Sequence, residues 1–371
     1  MKKIFGVLTA AALLLTGCGT ADTEEGGGQG SGPTKVKLQL QWFVQAQFAG
    51  YIAAADKGFY ADEGLDVEIL EGGVDIVPQT VLAQNRADYA ISWVPKALAS
   101  REQGAAITDV GQIFQRSGTY QVAFAGSGIK EPADLKGKKV GNWGFGNEYE
   151  LFAALTKAGL DPGKDVELVQ QQFDMQALLR GDIDAAQAMS YNEYAQLLEA
   201  ENPKTKKPYQ ASDFTVLDWN DVGTSMLQDA VWASTERLDD PAYQETTVKF
   251  LTGTIKGWIF CRENPEECRD LVVARGSKLG ASHQLWQTVE TNKLIWPSPA
   301  GIGVINEADW KRTVDLSLGT KNADGDTVIT KQPEGLAYTN DYIEKALANV
   351  AEDTKGTSYK PEAVKVEPGG R

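Results

Sequence analysis

Positive charge is scarce in this chain. Lysine and arginine total 36 against 51 for aspartate and glutamate, a formal net charge of −15. An acidic surface repels phosphate backbones, which speaks against a nucleic-acid binder. Histidine occurs once, at His283, and cysteine three times, at Cys18, Cys261 and Cys268. A Ser-His-Asp triad would have to be built on His283, and no G-x-S-x-G elbow accompanies it. A metal site of two cysteines and His283 lacks a fourth ligand, so no metal is expected. No phosphate-loop pattern occurs, and Gly141, Gly144 and Gly146 fall in the wrong order for a dinucleotide fingerprint, so no cofactor is expected either. Long apolar runs are missing, with one exception at the N-terminus. That run, Ile4 to Leu15, is shorter than the roughly 20 residues that span a bilayer.

Core material is abundant. The 371 residues include nine Trp, twelve Tyr and twelve Phe, and 42% are hydrophobic. Disorder throughout is excluded, and the length suits about two domains.

The start of the chain reads as an address. Lys2 and Lys3 precede the apolar run, and Leu15-Thr16-Gly17-Cys18 looks like a bacterial lipobox in which Cys18 takes the lipid. Residues 1–17 are then a signal peptide. Residues 18–34, Gly-rich and polar, form a lipid-anchored flexible linker. Such an anchor holds a protein at a membrane without spanning it, on the outer face of the plasma membrane or in the periplasm. Cys261 and Cys268 remain, and two thiols can pair in an oxidising compartment. Between them Asn264-Pro265-Glu266-Glu267 reads as a helix start. A helix break there brings together two cysteines that one continuous helix would hold about 10 Å apart.

The body alternates strand and helix. Strands are expected at 36–40, 65–70, 89–92, 109–115 and 120–125, with helices at 48–57, 78–85 and 95–103. This rhythm argues an α/β domain with a largely parallel sheet. The pattern restarts with strands at 139–141, 166–169, 183–186 and 214–217 and helices at 148–158, 175–180 and 191–200. After 229–233 the chain turns mainly helical. Two α/β lobes fit this order: residues 35–120 open the first lobe, 121–228 form the second, and 229–354 return to the first. Residues 355–371 read as a loose tail.

Ligands of open α/β sheets sit at the carboxyl ends of strands. Those ends carry Trp42, Gln45 and Gln47 after the first strand, Asp75 after the second, and Trp93 with Lys96 after the third. The second lobe offers Trp143, Phe145, Asn147 and Glu148 in one loop, and Tyr191 and Glu193 in another. Glycines there allow backbone approach, indoles give flat faces, and amides and carboxylates give direction. Each aromatic alone is better explained by core packing, and Glu148 and Glu193 stand near helix starts, where acids are favourable without a ligand. The recurrence of Trp42, Trp93 and Trp143 at comparable strand ends is what singles them out.

The stretch Trp42 to Leu70, WFVQAQFAGYIAAADKGFYADEGLDVEIL, is similar to the opening of the NMT1/THI5-like solute-binding proteins. Ala87-Asp88-Tyr89-Ala90, residues 135–141 (LKGKKVG), residues 181–186 (GDIDAA) and Leu294-Ile295-Trp296-Pro297 extend the resemblance over about residues 36–320. It implies a two-lobed periplasmic-binding-protein fold of type II, with the helical C-terminal region packed on the first lobe. It also implies capture of a small solute in the cleft and delivery to an ABC permease by a monomeric, non-enzymatic, membrane-anchored lipoprotein. Relatives bind thiamine pyrimidine precursors, riboflavin, or small anions such as sulfonates and nitrate. One enzymatic branch makes the thiamine pyrimidine with an active-site His and a Cys cluster; Lys96 stands where that His would be matched, and no Cys cluster exists. Candidate loops rich in indole and carboxylate suit a flat, nitrogen-rich ring, a pyrimidine first and an isoalloxazine second. A sulfonate or nitrate would ask for more basic groups.

Overall fold

A computed structural model describes residues 32–371. The signal peptide, Cys18 and nearly all of the tether expected at 18–34 lie outside the described residues. Pro33–Arg371 make one compact unit. In chain order the strands are β1 (Thr34–Gln39), β2 (Leu65–Leu70), β3 (Tyr89–Trp93), β4 (Ile107–Gln112), β5 (Thr119–Phe124), β6 (Lys139–Asn142), β7 (Glu167–Gln170), β8 (Ala185–Met189), β9 (Phe214–Asp218) and β10 (Asp229–Ser234). They form two five-stranded sheets, ordered β2-β1-β3-β10-β4 and β7-β6-β8-β5-β9.

Each sheet is mixed: four of its five strands run the same way, as the sequence expectation has it, and one runs against them. β1 runs parallel to β2 and β3, and β6 parallel to β7 and β8. But β10 is antiparallel to β3 and β4, and β5 to β8 and β9. β5 and β10 are the strands the chain enters on crossing from the other sheet. Reversal into a parallel strand takes a long crossover connection, and these two strands have none.

Helices cover both sheets. The first lobe has α1 (Ala49–Asp56), α2 (Phe59–Asp62), α3 (Pro78–Ala83) and α4 (Val94–Glu102). The second has α5 (Tyr149–Lys157), α6 (Gln176–Arg180) and α7 (Glu193–Glu199), with α8 (Trp219–Val222) on the return crossing. Then follow α9 (Pro241–Glu263), α10 (Pro265–Ala274), α11 (Ala281–Ile295), α12 (Glu307–Gly319) and α13 (Asp341–Leu347). Central strands are buried on both faces, as sheets between helix layers must be. Ile91, Val231 and Ala233 point into a core with Tyr51, Phe250 and Trp258. Their neighbours Ala90, Ala230 and Trp232 face the opposite core, with Leu98 and Trp310. The second sheet does the same, with Ala123 and Ala185 on one side and Val122 and Ala186 on the other. α9 lies so close on α1 that a Cβ at Gly257 would overlap the Gly50 carbonyl.

α9 ends at Glu263 and α10 starts at Pro265, with Cys261 and Cys268 joined across the break at a Cα separation of 5.2 Å. The tail expected to be loose is laid against the body. Val366 and Gly370 are buried, and the Glu367 amide donates to Ser282 Oγ at 2.7 Å. Gly370 nests on Gly280, where neither residue has a Cβ to hold the backbones apart.

Candidate functional site

The chain passes between the lobes twice, over residues 113–118 and 219–228. The two passes are stitched together. Gln228 accepts from the Gly118 amide at 2.8 Å and donates to Ser117 Oγ and Thr119 Oγ1, and Asn220 donates to the Ser117 carbonyl. Glu150, at the start of α5, accepts from Ser117 Oγ (3.1 Å) and the Met226 amide (2.6 Å), so one carboxylate grips both passes. Burial pushes its carboxyl up to about 7.

Above this joint the lobes meet around Asp229, the first residue of β10. Its side chain is 1% exposed. Oδ1 accepts from Gln41 Nε2 (2.6 Å) and Trp93 Nε1 (2.9 Å), and Oδ2 from Gln47 Nε2 (2.9 Å). Gln47 is itself held by Gln45 Nε2 at 2.7 Å. Burial outweighs these bonds and raises the carboxyl to about 6. A carboxylate has about four acceptor positions, so one remains. Tyr51 and Tyr191 are close enough for the Asp229 charge to raise both phenols further, after burial. The Tyr51 hydroxyl is buried with no hydrogen-bond partner.

Lys96, in the first turn of α4, lies 5.0 Å from the Trp93 ring and reaches across the cleft to Asn147 Oδ1 at 2.8 Å. Burial lowers its ammonium to about 8 against the pull of Glu148 and Asp229. Glu148 Oε2 is buried without a partner, and burial raises that carboxyl. A small hollow lies here, bounded by Trp93, Gly146, Asn147, Glu150, Met226 and Gln228. An aromatic seam also joins the lobes. Phe173, from the loop after β7, sits 4.8 Å from Trp42 of the first lobe and 6.1 Å from Trp143, near-parallel to the latter at 24°.

The structure therefore gathers Trp42, Gln45, Gln47, Trp93, Trp143, Asn147, Glu148 and Tyr191 about one cleft. It does not bring in three other residues singled out from sequence. Asp75 is exposed on the loop before α3. Phe145 is 79% exposed, turned outward by a left-handed backbone (φ 56°) between two left-handed glycines. Glu193 is buried but already engaged, accepting from the Met189 amide and Asn192 Nδ2. With them belongs His283 of α11, whose ring nitrogens meet Glu199 (2.7 Å) and Asn192 (2.9 Å) of the other lobe. Its role here is an inter-lobe clasp. Among the described residues no group of three His, Cys, Asp or Glu is placed to hold a metal ion.

Sequence reasoning missed Asp229, Gln41, Phe173 and Glu150. Asp229 had a faint signal, an acid heading an otherwise apolar strand.

A family model described as "NMT1/THI5 like" matches residues 45–268. The formylaminopyrimidine-binding protein of Halalkalibacterium halodurans is 24% identical over 70% of this chain and 75% of its own length. The riboflavin-binding protein RibY of Chloroflexus aurantiacus is 25% identical over 83% and 86%. A Haemophilus influenzae protein named for thiamine biosynthesis is 35% identical over 41% of this chain and 48% of its own. Proteins named 4-amino-5-hydroxymethyl-2-methylpyrimidine phosphate synthase match over 35–49% of this chain, and the alignments span about half of their length. The periplasmic aliphatic sulphonate binding protein SsuA of Escherichia coli superposes with a TM-score of 0.56, at 18% identity over 79% of this chain and 86% of its own. The fold is that of the type II periplasmic binding proteins.

Proposed function

The chain belongs to the NMT1/THI5 like family, and from that premise we propose that it is the extracytoplasmic solute-binding protein of an ABC importer. Its solute is a small aromatic heterocycle with N–H donors, a thiamine-pyrimidine precursor in the first instance. The solute lies between the lobes, the lobes close on it, and the closed form docks on the permease. The lipobox at Cys18 and the tether behind it support a receptor kept near its transporter.

One observation carries the choice of solute: Asp229, an almost fully desolvated carboxylate with an acceptor position left over, set beside the Trp93 indole. Such a group accepts an exocyclic amine or a ring N–H and repels an oxyanion. The buried, unpartnered Glu148 Oε2 adds to that bias, and Lys96 sets a cation against the two acids. That charge pattern speaks against a sulfonate or nitrate. Riboflavin is the second reading, favoured by the long alignment with the Chloroflexus protein. The synthase reading has less support: Lys96 replaces the expected histidine, and His283 is spent on the clasp.

Thermal-shift and native mass-spectrometry screens against aminopyrimidines, flavins, thiamine and alkanesulfonates test the proposal. The expected result is stabilisation by an aminopyrimidine. Stabilisation by sulfonates alone would overturn it.

A further inference from the structure

The tail touches both lobes. It is first pinned to the first lobe: Arg262 Nη1 donates to the Asp353 carbonyl at 2.8 Å, and the Ser298 and Ile302 amides donate to the Lys355 and Thr354 carbonyls. It is held on that lobe again at the start of α11, by Ser282 Oγ and by the close approach of Gly370 to Gly280. From there Gly370 reaches α7 of the second lobe. A Cβ on Gly370 would stand 3.0 Å from Glu199 Oε2, and the left-handed backbone at this residue (φ 70°) favours glycine. Glu199 Oε1 meanwhile meets His283 Nδ1. The carboxylate is thus enclosed between histidine and tail, with its side chain only 10% exposed. The same seam holds a third contact between the lobes, from Trp286 Nε1 to the Ser190 carbonyl at 3.0 Å. Among the described residues no core cluster includes one beyond Tyr359. Laying down residues 366–370 therefore adds to neither lobe's core, and what it covers is the seam.

We propose that this segment is a strap between the lobes, which seals the Glu199–His283 contact from water and so holds the solute-free protein toward its closed form. A hydrogen bond to a carboxylate is stronger where water is kept out. The strap stays with α11 when the lobes part, because its attachments to Ser282 and Gly280 are on that lobe. Parting then exposes the Glu199 carboxylate and costs the shielded bond. A receptor held part-way closed in this manner spends less of its solute's binding energy on closure.

Gly280→Ala tests the strap, because the three nearest atoms a Cβ there would meet all belong to Gly370 and Arg371, and it would overlap the Gly370 carbonyl. Gly280 itself has an ordinary backbone (φ −71°), so alanine displaces the tail and suits α11. A chain cut after Lys365 is the second variant. Both are compared, without solute, with wild type, His283→Ala and the double variant Gly280→Ala/His283→Ala. Small-angle scattering reads lobe closure, and hydrogen exchange reads α7. Both tail variants are expected to be more open than wild type, with amide exchange over residues 193–199 about 3- to 10-fold faster, the span of one hydrogen bond. The double variant should be no more open than His283→Ala, because strap and histidine act on the same carboxylate. Tail variants as closed as wild type, or effects of Gly280→Ala and His283→Ala that simply add, would overturn the strap. Neither readout involves a solute, so failure of the solute reading leaves this result standing, and failure of the strap leaves the solute reading untouched.

Discussion

Asp229→Asn tests the chemistry of the cleft most sharply. Burial raises this carboxyl from 3.8 to about 6. A carboxyl raised by folding stabilises the fold fully below its unfolded value and loses that contribution as pH climbs through the folded one. At neutral pH the ionised group therefore costs on the order of 3 kcal/mol. Asparagine removes that cost. It also turns an NH2 toward a site where Gln41, Gln47 and Trp93 all donate, and one or two lost bonds to a charged acceptor are worth about 1.5–3 kcal/mol each. The two effects are of similar size, so unfolding by urea at pH 7 should shift by no more than about 2 kcal/mol, and less favourably for the variant at pH 4. Solute affinity has no such compensation. A lost hydrogen bond to a carboxylate predicts a drop of about 10- to 150-fold by isothermal titration. Wild-type affinity should also fall about tenfold per pH unit below pH 6, after correction for the solute's own protonation, and that slope should vanish in the variant. A slope that persists in Asp229→Asn, or an affinity loss under threefold, would refute the role given to this carboxylate.

Asp109 on β4 is fully buried, with Oδ1 accepting from the Gly111 amide and Oδ2 unpartnered, and burial raises it to about 8. By the same sign, its contribution is present below pH 3.8 and lost as pH rises through 8. Asp109→Asn should leave stability at pH 4 nearly unchanged and raise it by about 2–4 kcal/mol at pH 8 in urea unfolding; equal gains at both pH values would contradict this. His283→Ala leaves Glu199 and Asn192 without their partner across the lobes. It should lower stability by about 1–3 kcal/mol and open the solute-free protein in scattering; a neutral result in both would remove the clasp. Replacing Cys261 and Cys268 together by serine opens the closed loop between α9 and α10. It should cost about 2–4 kcal/mol in non-reducing thermal unfolding, whereas two free thiols in denatured, unreduced wild-type protein would show that the pair is not bonded in the cell.

Much of this cleft could be read from local sequence. Trp93 with Gln45 and Gln47 sits at strand ends, where topology puts ligands, and the Pro265 helix start explains why Cys261 and Cys268 approach. The unreadable parts share one cause: they depend on contacts between distant segments. Strand direction leaves no mark on an apolar alternation, so the antiparallel β5 and β10 could not be told from parallel strands. Asp229 lies far along the chain from Gln41, Gln47 and Trp93, and its burial exists only because β10 enters beside β3. Phe173 belongs to no periodic pattern, and its partner Trp42 stands on the other lobe. Phe145 misled for the opposite reason. Its loop composition suited a ligand, but a left-handed backbone between Gly144 and Gly146 aims it at solvent.

The most direct measurement is a crystal structure of the protein loaded with 4-amino-5-hydroxymethyl-2-methylpyrimidine. The expected density is a planar ring between the lobes, with a ring or amino N–H on Asp229 Oδ2. An oxyanion held by Lys96 with Asp229 untouched, or a ring bound outside the cleft, would contradict the account.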